Sequence, residues 1–103
     1  MSGSAPRYSA AAERDLLDIH AYIARHSPAG ATRLLRRIDA TCRLLAEQPG
    51  LGARRDHIRE GMRLWTVGVY LILYQSRGVN VEIVRIVHGR RDLNRIFPPD
   101  ETS

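Results

Sequence analysis

The sequence predicts a small α+β single domain in which two antiparallel N-terminal helices cover one face of an antiparallel sheet, with element order β-α-α-β-β-β and a short C-terminal helical segment. Three observations carry that reading. Two apolar stripes at helical spacing are separated only by Ser27-Pro28; three strand-like segments follow, divided by Gly68 and by Ser76-Arg77-Gly78; and 103 residues suffice for one core but not two. Apolar residues make up 44% and charged residues 26% of the chain, a balance that excludes intrinsic disorder.

Residues 1–7 read as a flexible lead, small and polar at Met1-Ser-Gly-Ser-Ala5, and residues 8–97 as the domain. Tyr8 belongs to a short first strand beside Pro6. Ser9 has the side chain of an N-cap, and Ala12, Leu16, Ile19 and Ile23 then recur on one helical face, so the first helix runs to about His26. Glu13, Asp15 and Asp18 lie early in this helix, where its dipole favours acids. Ser27 and Pro28 open the second helix as N-cap and first position, since proline has no amide hydrogen to lose there. Ala31, Leu34, Leu35, Ile38, Cys42 and Leu45 form its stripe, and Pro49-Gly50-Leu-Gly52 ends it. So short a linker makes the helices antiparallel neighbours.

Met62–Val67 and Val69–Tyr74 are rich in strand formers around Gly68. The second of these puts Tyr70, Ile72 and Tyr74 on one face and Val69, Leu71 and Leu73 on the other, both apolar. Two helices cover one face only, so the other needs a cover, either Leu93, Ile96 and Phe97 folding back as a short helix before Pro98-Pro99, a second copy, or a partner segment. In the last strand, period 2 places Val81, Ile83, Arg85 and Val87 on one side and Glu82, Val84, Ile86 and His88 on the other, so Arg85 and His88 leave opposite faces. Gly89 then breaks the strand ahead of Arg90, Arg91 and Asp92, and residues 98–103 read as a flexible tail.

Every one of the sixteen basic residues is arginine, and the net charge is +5. From Arg54 to Arg95, nine arginines face four acids, so the whole excess sits in the C-terminal half. That distribution suits an acidic protein partner or nucleic acid. Cys42 is the only cysteine, which excludes an internal disulfide and gives a cytoplasmic protein as the default. The four histidines have no i, i+4 pair, so no metal site is expected, and the glycines form no phosphate loop; no cofactor is expected either. No apolar run is long enough for a membrane span.

The ordered set Ala12-Glu-Arg-Asp-Leu-Leu-Asp-Ile19, Tyr22-Ile23-Ala24, Ser27-Pro28, Leu44-Leu-Ala46 with Pro49 and Gly52, Arg63, Tyr70-Leu-Ile-Leu-Tyr74 and Arg85-Ile-Val-His-Gly-Arg-Arg-Asp-Leu93 resembles the ParE branch of the RelE/ParE toxins. The resemblance runs from about Tyr8 to Phe97. It implies the toxin of a bacterial type II toxin–antitoxin pair, held in a hetero-oligomer by a ParD-like antitoxin with an acidic tail. Such a tail would fold over an apolar strand face, either Val69, Leu71 and Leu73 or Tyr70, Ile72 and Tyr74. ParE-like members inhibit DNA gyrase by binding, without catalysis, and the target contacts implied here are His88, Arg90, Arg91 and Arg95, with Asp92 fixing the turn by pairing with one of the arginines. RelE-like members instead cleave ribosome-bound mRNA, which needs groups to activate the 2′-hydroxyl, stabilise charge on phosphorus and protonate the leaving oxygen. The corresponding candidates are Arg63, Arg85, His88 and Arg91 with Tyr70 or Tyr74 nearby, and only in that case would the chain bind nucleic acid directly. The segment after Arg91 departs from the RelE pattern, since it has no terminal tyrosine or histidine and carries Asp92, which would oppose a phosphate. Gyrase binding is therefore the favoured expectation, mRNA cleavage the alternative, and an antitoxin-binding chain without toxicity the third.

Overall fold

The computed structural model describes residues 5–89 and Asp92. Strand β1 (Arg7–Tyr8) leads into helices α1 (Ala10–Ala24) and α2 (Pro28–Glu47), a single 3₁₀ turn at Pro49–Leu51, and strands β2 (Ala53–Arg54), β3 (Met62–Val67), β4 (Tyr70–Arg77) and β5 (Asn80–His88). The five strands form one sheet in the order β1-β5-β4-β3-β2, with only the β1–β5 pair parallel. The expected order β-α-α-β-β-β is observed, with the two-residue β2 added beside β3.

Both helix starts follow from local chemistry. The Ser9 hydroxyl accepts the Ala12 amide at 2.9 Å and the Ser27 hydroxyl accepts that of Gly30 at 2.9 Å, each satisfying a donor the helix itself cannot. Ser9 does more, since the same hydroxyl donates to the Val84 carbonyl at 2.7 Å and its amide to Ile83 at 3.0 Å. The start of α1 is thereby tied to β5. Both hairpins have two-residue loops whose first residue is glycine at positive φ, Gly68 at 59° and Gly78 at 62°, as a type II′ turn requires.

Helices α1 and α2 lie on the sheet face that carries Tyr70, Ile72, Tyr74, Val81, Ile83 and Ile86, and Ile38, Cys42 and Leu45 of α2 are buried against it. Each fully buried aliphatic side chain of this kind stabilises the fold by about 1.5–3 kcal/mol. The opposite face carries a smaller cluster of Met62, Leu73, Val84 and Val87, against which Ile58, Leu64 and Leu71 pack. Part of its cover is therefore the loop between β2 and β3. The proposed back-folding helix at Leu93, Ile96 and Phe97 lies outside the described residues, as do residues 1–4 of the lead and the tail from 98.

Among the described residues no helix is long and apolar enough to cross a membrane, and no group of three or more His, Cys, Asp or Glu side chains is placed to hold a metal ion.

Candidate functional site

The geometry of the C-terminal end of β5 is set by one extra residue. Leu73 pairs with Arg85 and Tyr74 with Ile83, so Val84 has no partner on β4 and forms a bulge. The bulge shifts the side-chain phase. Val81 and Ile83 face the helices before it and Ile86 faces them after it, whereas Val84 and Val87 join the opposite cluster. Strict alternation of Val81, Ile83, Arg85 and Val87 against Glu82, Val84, Ile86 and His88 is thus overturned. Past the bulge alternation resumes, with Arg85 opposite Leu73 and His88 opposite Tyr70, so these two leave opposite faces as expected, yet both line one cleft.

That cleft, about 480 Å³, lies between α1 and the end of β5. Asp15, Asp18, Ile19 and Tyr22 form its helical wall, and Tyr70, Arg85, His88 and Asp92 are among the residues opposite. Its base is an ion pair. Arg85 donates through Nε to Asp15 Oδ2 and through Nη2 to Asp15 Oδ1, both at 2.8 Å, and the Ile86 amide donates to Asp15 Oδ2 at 2.9 Å. A guanidinium fork on a carboxylate is the strong form of this interaction, and here the side chains are only 26% and 12% exposed. The hydrogen bonds that Arg85 donates to Asp15 raise its pKa above the ordinary arginine value against the opposing effect of burial, and the Asp15 and Asp92 charges add to the rise. Arg85 stays charged and occupied.

Beyond Arg85, Tyr70 meets His88 edge to face, with ring centres 5.9 Å apart at 83°. The Gly89 amide donates to the Val69 carbonyl at 2.8 Å and the Asp92 amide to the His88 carbonyl at 2.9 Å, so the chain turns immediately after the strand. The Asp92 carboxylate accepts the His88 amide at 3.4 Å, a long bond that returns the contact. Asp92 thus helps to close the turn through backbone bonds. Arg90, Arg91 and Arg95 lie outside the described residues, and with them any pairing to Asp92.

Of the groups that mRNA cleavage would need, Arg85, His88 and Tyr70 line the one cleft, Arg63 and Tyr74 do not join them, and Arg91 lies outside the described residues. Arg63 lies opposite Tyr74, and His88 opposite Tyr70, so they stand four residues apart along β4, roughly 13 Å at strand rise. Arg63 donates through Nη1 to the Gly52 carbonyl at 2.7 Å and the Tyr74 hydroxyl binds Gly52 and Pro49, which commits both to the loop after α2. Burial raises the Tyr74 pKa, against lowering by the Gly52 amide and Arg63.

The two candidate antitoxin faces also separate. Tyr70, Ile72 and Tyr74 are buried under the helices and are not available to a partner while the helices stay in place. On the other face Leu73 is fully buried, Leu71 is half-buried, and Val69, which sits in the hairpin turn and not in the strand, is 58% exposed. Cys42 is buried in the core, and burial pushes its thiol up to about 11, which leaves it protonated and unreactive at neutral pH.

Sequence reasoning missed Asp15, which read as one of three acids favoured by the helix dipole. The available signal was its position, three residues after Ala12 and four before Ile19, inside the buried stripe of α1 and not on its solvent side. An acid on a buried stripe requires a partner.

Residues 7–93 match the family model described as the ParE toxin of type II toxin-antitoxin system, parDE. Toxin ParE1 of Caulobacter vibrioides is 36% identical over 83 residues, covering 80% of this chain and 85% of that protein. Toxin ParE3 of the same organism is 36% identical over 63 residues, 61% of this chain and 63% of that one. Among solved structures, a chain of the chromosomal ParDE TA system from P. aeruginosa superposes with a TM-score of 0.67 at 21% identity, covering 84% of this chain and 98% of that chain, which is a likeness of fold.

Proposed function

The chain belongs to the ParE toxin family of type II toxin–antitoxin systems, and from that premise we propose that it acts in the cytoplasm by binding DNA gyrase and is neutralised by a cognate ParD-like antitoxin. The observation that carries the choice of binding over catalysis is the commitment of Arg63 and Arg85 to partners within the fold. Arg63 is committed to the loop after α2, at the other end of β4 from His88, and Arg85, which shares the cleft with His88, is held in a fork by Asp15. A phosphoryl-transfer site needs such groups converging on one phosphate, with no carboxylate competing for them. A binding surface has no such requirement.

The target contacts in this reading are His88 and the arginines that follow it, Arg90, Arg91 and Arg95. His88 and Asp92 line an open cleft, which supports the part of that assignment that falls on His88. For the antitoxin, Val69 and Leu71 offer the accessible part of the sheet face away from the helices, and the arginine excess of the C-terminal half suits an acidic tail. The ParDE assembly named for the P. aeruginosa relative supports a hetero-oligomer of the same kind here.

The test is titration of the purified protein into a gyrase supercoiling reaction, with ribosome-programmed mRNA cleavage followed on the same preparation. Loss of supercoiling with intact message is the expected result, and Arg90→Glu/Arg91→Glu in a folded double variant should weaken it. Cut message with normal supercoiling would overturn the reading in favour of an endonuclease, and a protein inert in both reactions would overturn toxicity at these targets.

A further inference from the structure

We propose that Asp15, on α1, is a positioning residue for the target contact His88, holding the end of β5 in place beside the cleft. The inference rests on the gyrase-binding reading for its functional consequence, and on the geometry alone for the positioning.

Strand β5 needs such a hold. Its outer neighbour β1 stops at Tyr8, opposite Ile83, because Ser9 already caps α1. Past Ile83 the outer edge of β5 therefore has no strand neighbour among the described residues. The bulge at Val84 falls at the same place and frees the strand from strict alternation. Past Ile83 the strand has backbone partners on the β4 side alone, so its outward amides need another acceptor, and a displacement of this edge would move His88 relative to the cleft.

The Asp15 carboxylate replaces the missing neighbour. One of its oxygens accepts the Ile86 amide, which would otherwise be an orphan donor of the strand edge, and both accept the Arg85 fork. The anchor itself is firm, since Ala12 and Ile19 on the same stripe of α1 are buried in the core. Only Val87 separates Ile86 from His88, whose carbonyl and amide both bind Asp92 across the turn. A displacement at Ile86 therefore reaches the turn with little backbone to absorb it. Asparagine at position 15 would still offer one carbonyl oxygen, but its amide group would meet the guanidinium donor to donor, so the fork is lost while the volume is kept.

The experiment compares the full chain with Asp15→Asn, Arg85→Lys and Asp15→Asn/Arg85→Gln by residue-resolved amide exchange and by gyrase supercoiling. Asp15→Asn should speed exchange at Ile86, His88 and Asp92 by about ten-fold and leave Ile38 and Ile72 unchanged, because the opening is local. The concentration for half-inhibition should rise by a similar factor of about ten, and the double variant should lose no more than Asp15→Asn alone, as expected for partners acting as one unit. Arg85→Lys, which keeps the charge but not the fork, should lose less, and it carries the same comparison if Asp15→Asn does not fold. Uniform acceleration at Ile38 and Ile72 would overturn the proposal by making Asp15 a general stabiliser, and unchanged protection at His88 would overturn it directly. So would faster exchange at the turn with undiminished potency. If the unsubstituted protein leaves gyrase untouched, the gyrase reading fails, and the exchange pattern alone decides whether Asp15 positions His88.

Discussion

The Tyr74 hydroxyl stands 2.7 Å from the Gly52 amide nitrogen, which donates to it, and itself donates a hydrogen bond to the Pro49 carbonyl at 2.7 Å. A buried side chain of the central strand thus holds the loop by which α2 leaves the helical layer and enters the sheet. Tyr74→Phe should leave the ring in place but strip both backbone groups of their partner, at a cost of about 1–3 kcal/mol. Gly52→Ala should cost more, because a Cβ there would lie 2.9 Å from the Leu64 carbonyl and 2.7 Å from a Tyr74 ring carbon. Urea unfolding of both variants checks the order; a neutral Tyr74→Phe would mean that water replaces the hydroxyl.

Tyr8 joins β1 to α2 through a hydrogen bond to Asp39 Oδ1 at 2.8 Å, across 31 positions of sequence. Burial, with Cys42 and Asp39 adding to it, raises the phenol pKa well above its ordinary value of 10.0. A group whose pKa is higher folded than unfolded contributes stability fully below the unfolded value and loses it as pH rises toward the folded one. The protein should therefore lose stability on the alkaline side of that ordinary value, with Tyr8 ionising together with unfolding. Phenolate absorbance followed against pH, beside circular dichroism, measures this. Tyr8→Phe should remove one tyrosine from the late, cooperative step; an early, non-cooperative loss of that same tyrosine would contradict the burial.

The Cys42 thiol, pushed up to about 11 by burial in the core, should resist a thiol-specific disulfide reagent at neutral pH. Reaction then requires the chain to open, so its rate should follow denaturant as unfolding does. Rapid labelling of the native protein would place the thiol at the surface and contradict its position among Ile38 and Leu45.

How far the sequence foretold these features depends on whether the signal was local. Ser27-Pro28, the stripe from Ala31 to Leu45 and the two-faced segment from Tyr70 to Tyr74 all announce themselves within a few residues, and each appears where expected. The bulge at Val84 gave no such sign, because it lies in a run of β-branched residues with no glycine to mark it. That one extra residue put Ile86 and His88, rather than Arg85 and Val87, in phase with Val81 and Ile83. Nor did the partner of Asp15 show, since it lies 70 residues away and only the fold brings them together. Strand β2 is two residues long and pairs through Arg63 and Leu64, too short for any periodicity to register.

The two helix caps offer an internal comparison. Ser27 and Ser9 each accept a backbone amide at 2.9 Å, but Ser9 alone also donates, at 2.7 Å, to the carbonyl of Val84, the bulged residue. Replacing Ser27 by alanine should cost about 1 kcal/mol, the usual worth of a cap. Replacing Ser9 should cost about 2 kcal/mol, because the Val84 carbonyl also loses a partner in a half-buried setting. The difference, measured by urea unfolding of the two single variants, isolates the contribution of the link between the start of α1 and the bulge. It should be accompanied by faster amide exchange near Val84 in Ser9→Ala only. Equal losses for the two variants would mean that the bulge stands without Ser9, and would leave the carboxylate of Asp15 as its principal hold on α1.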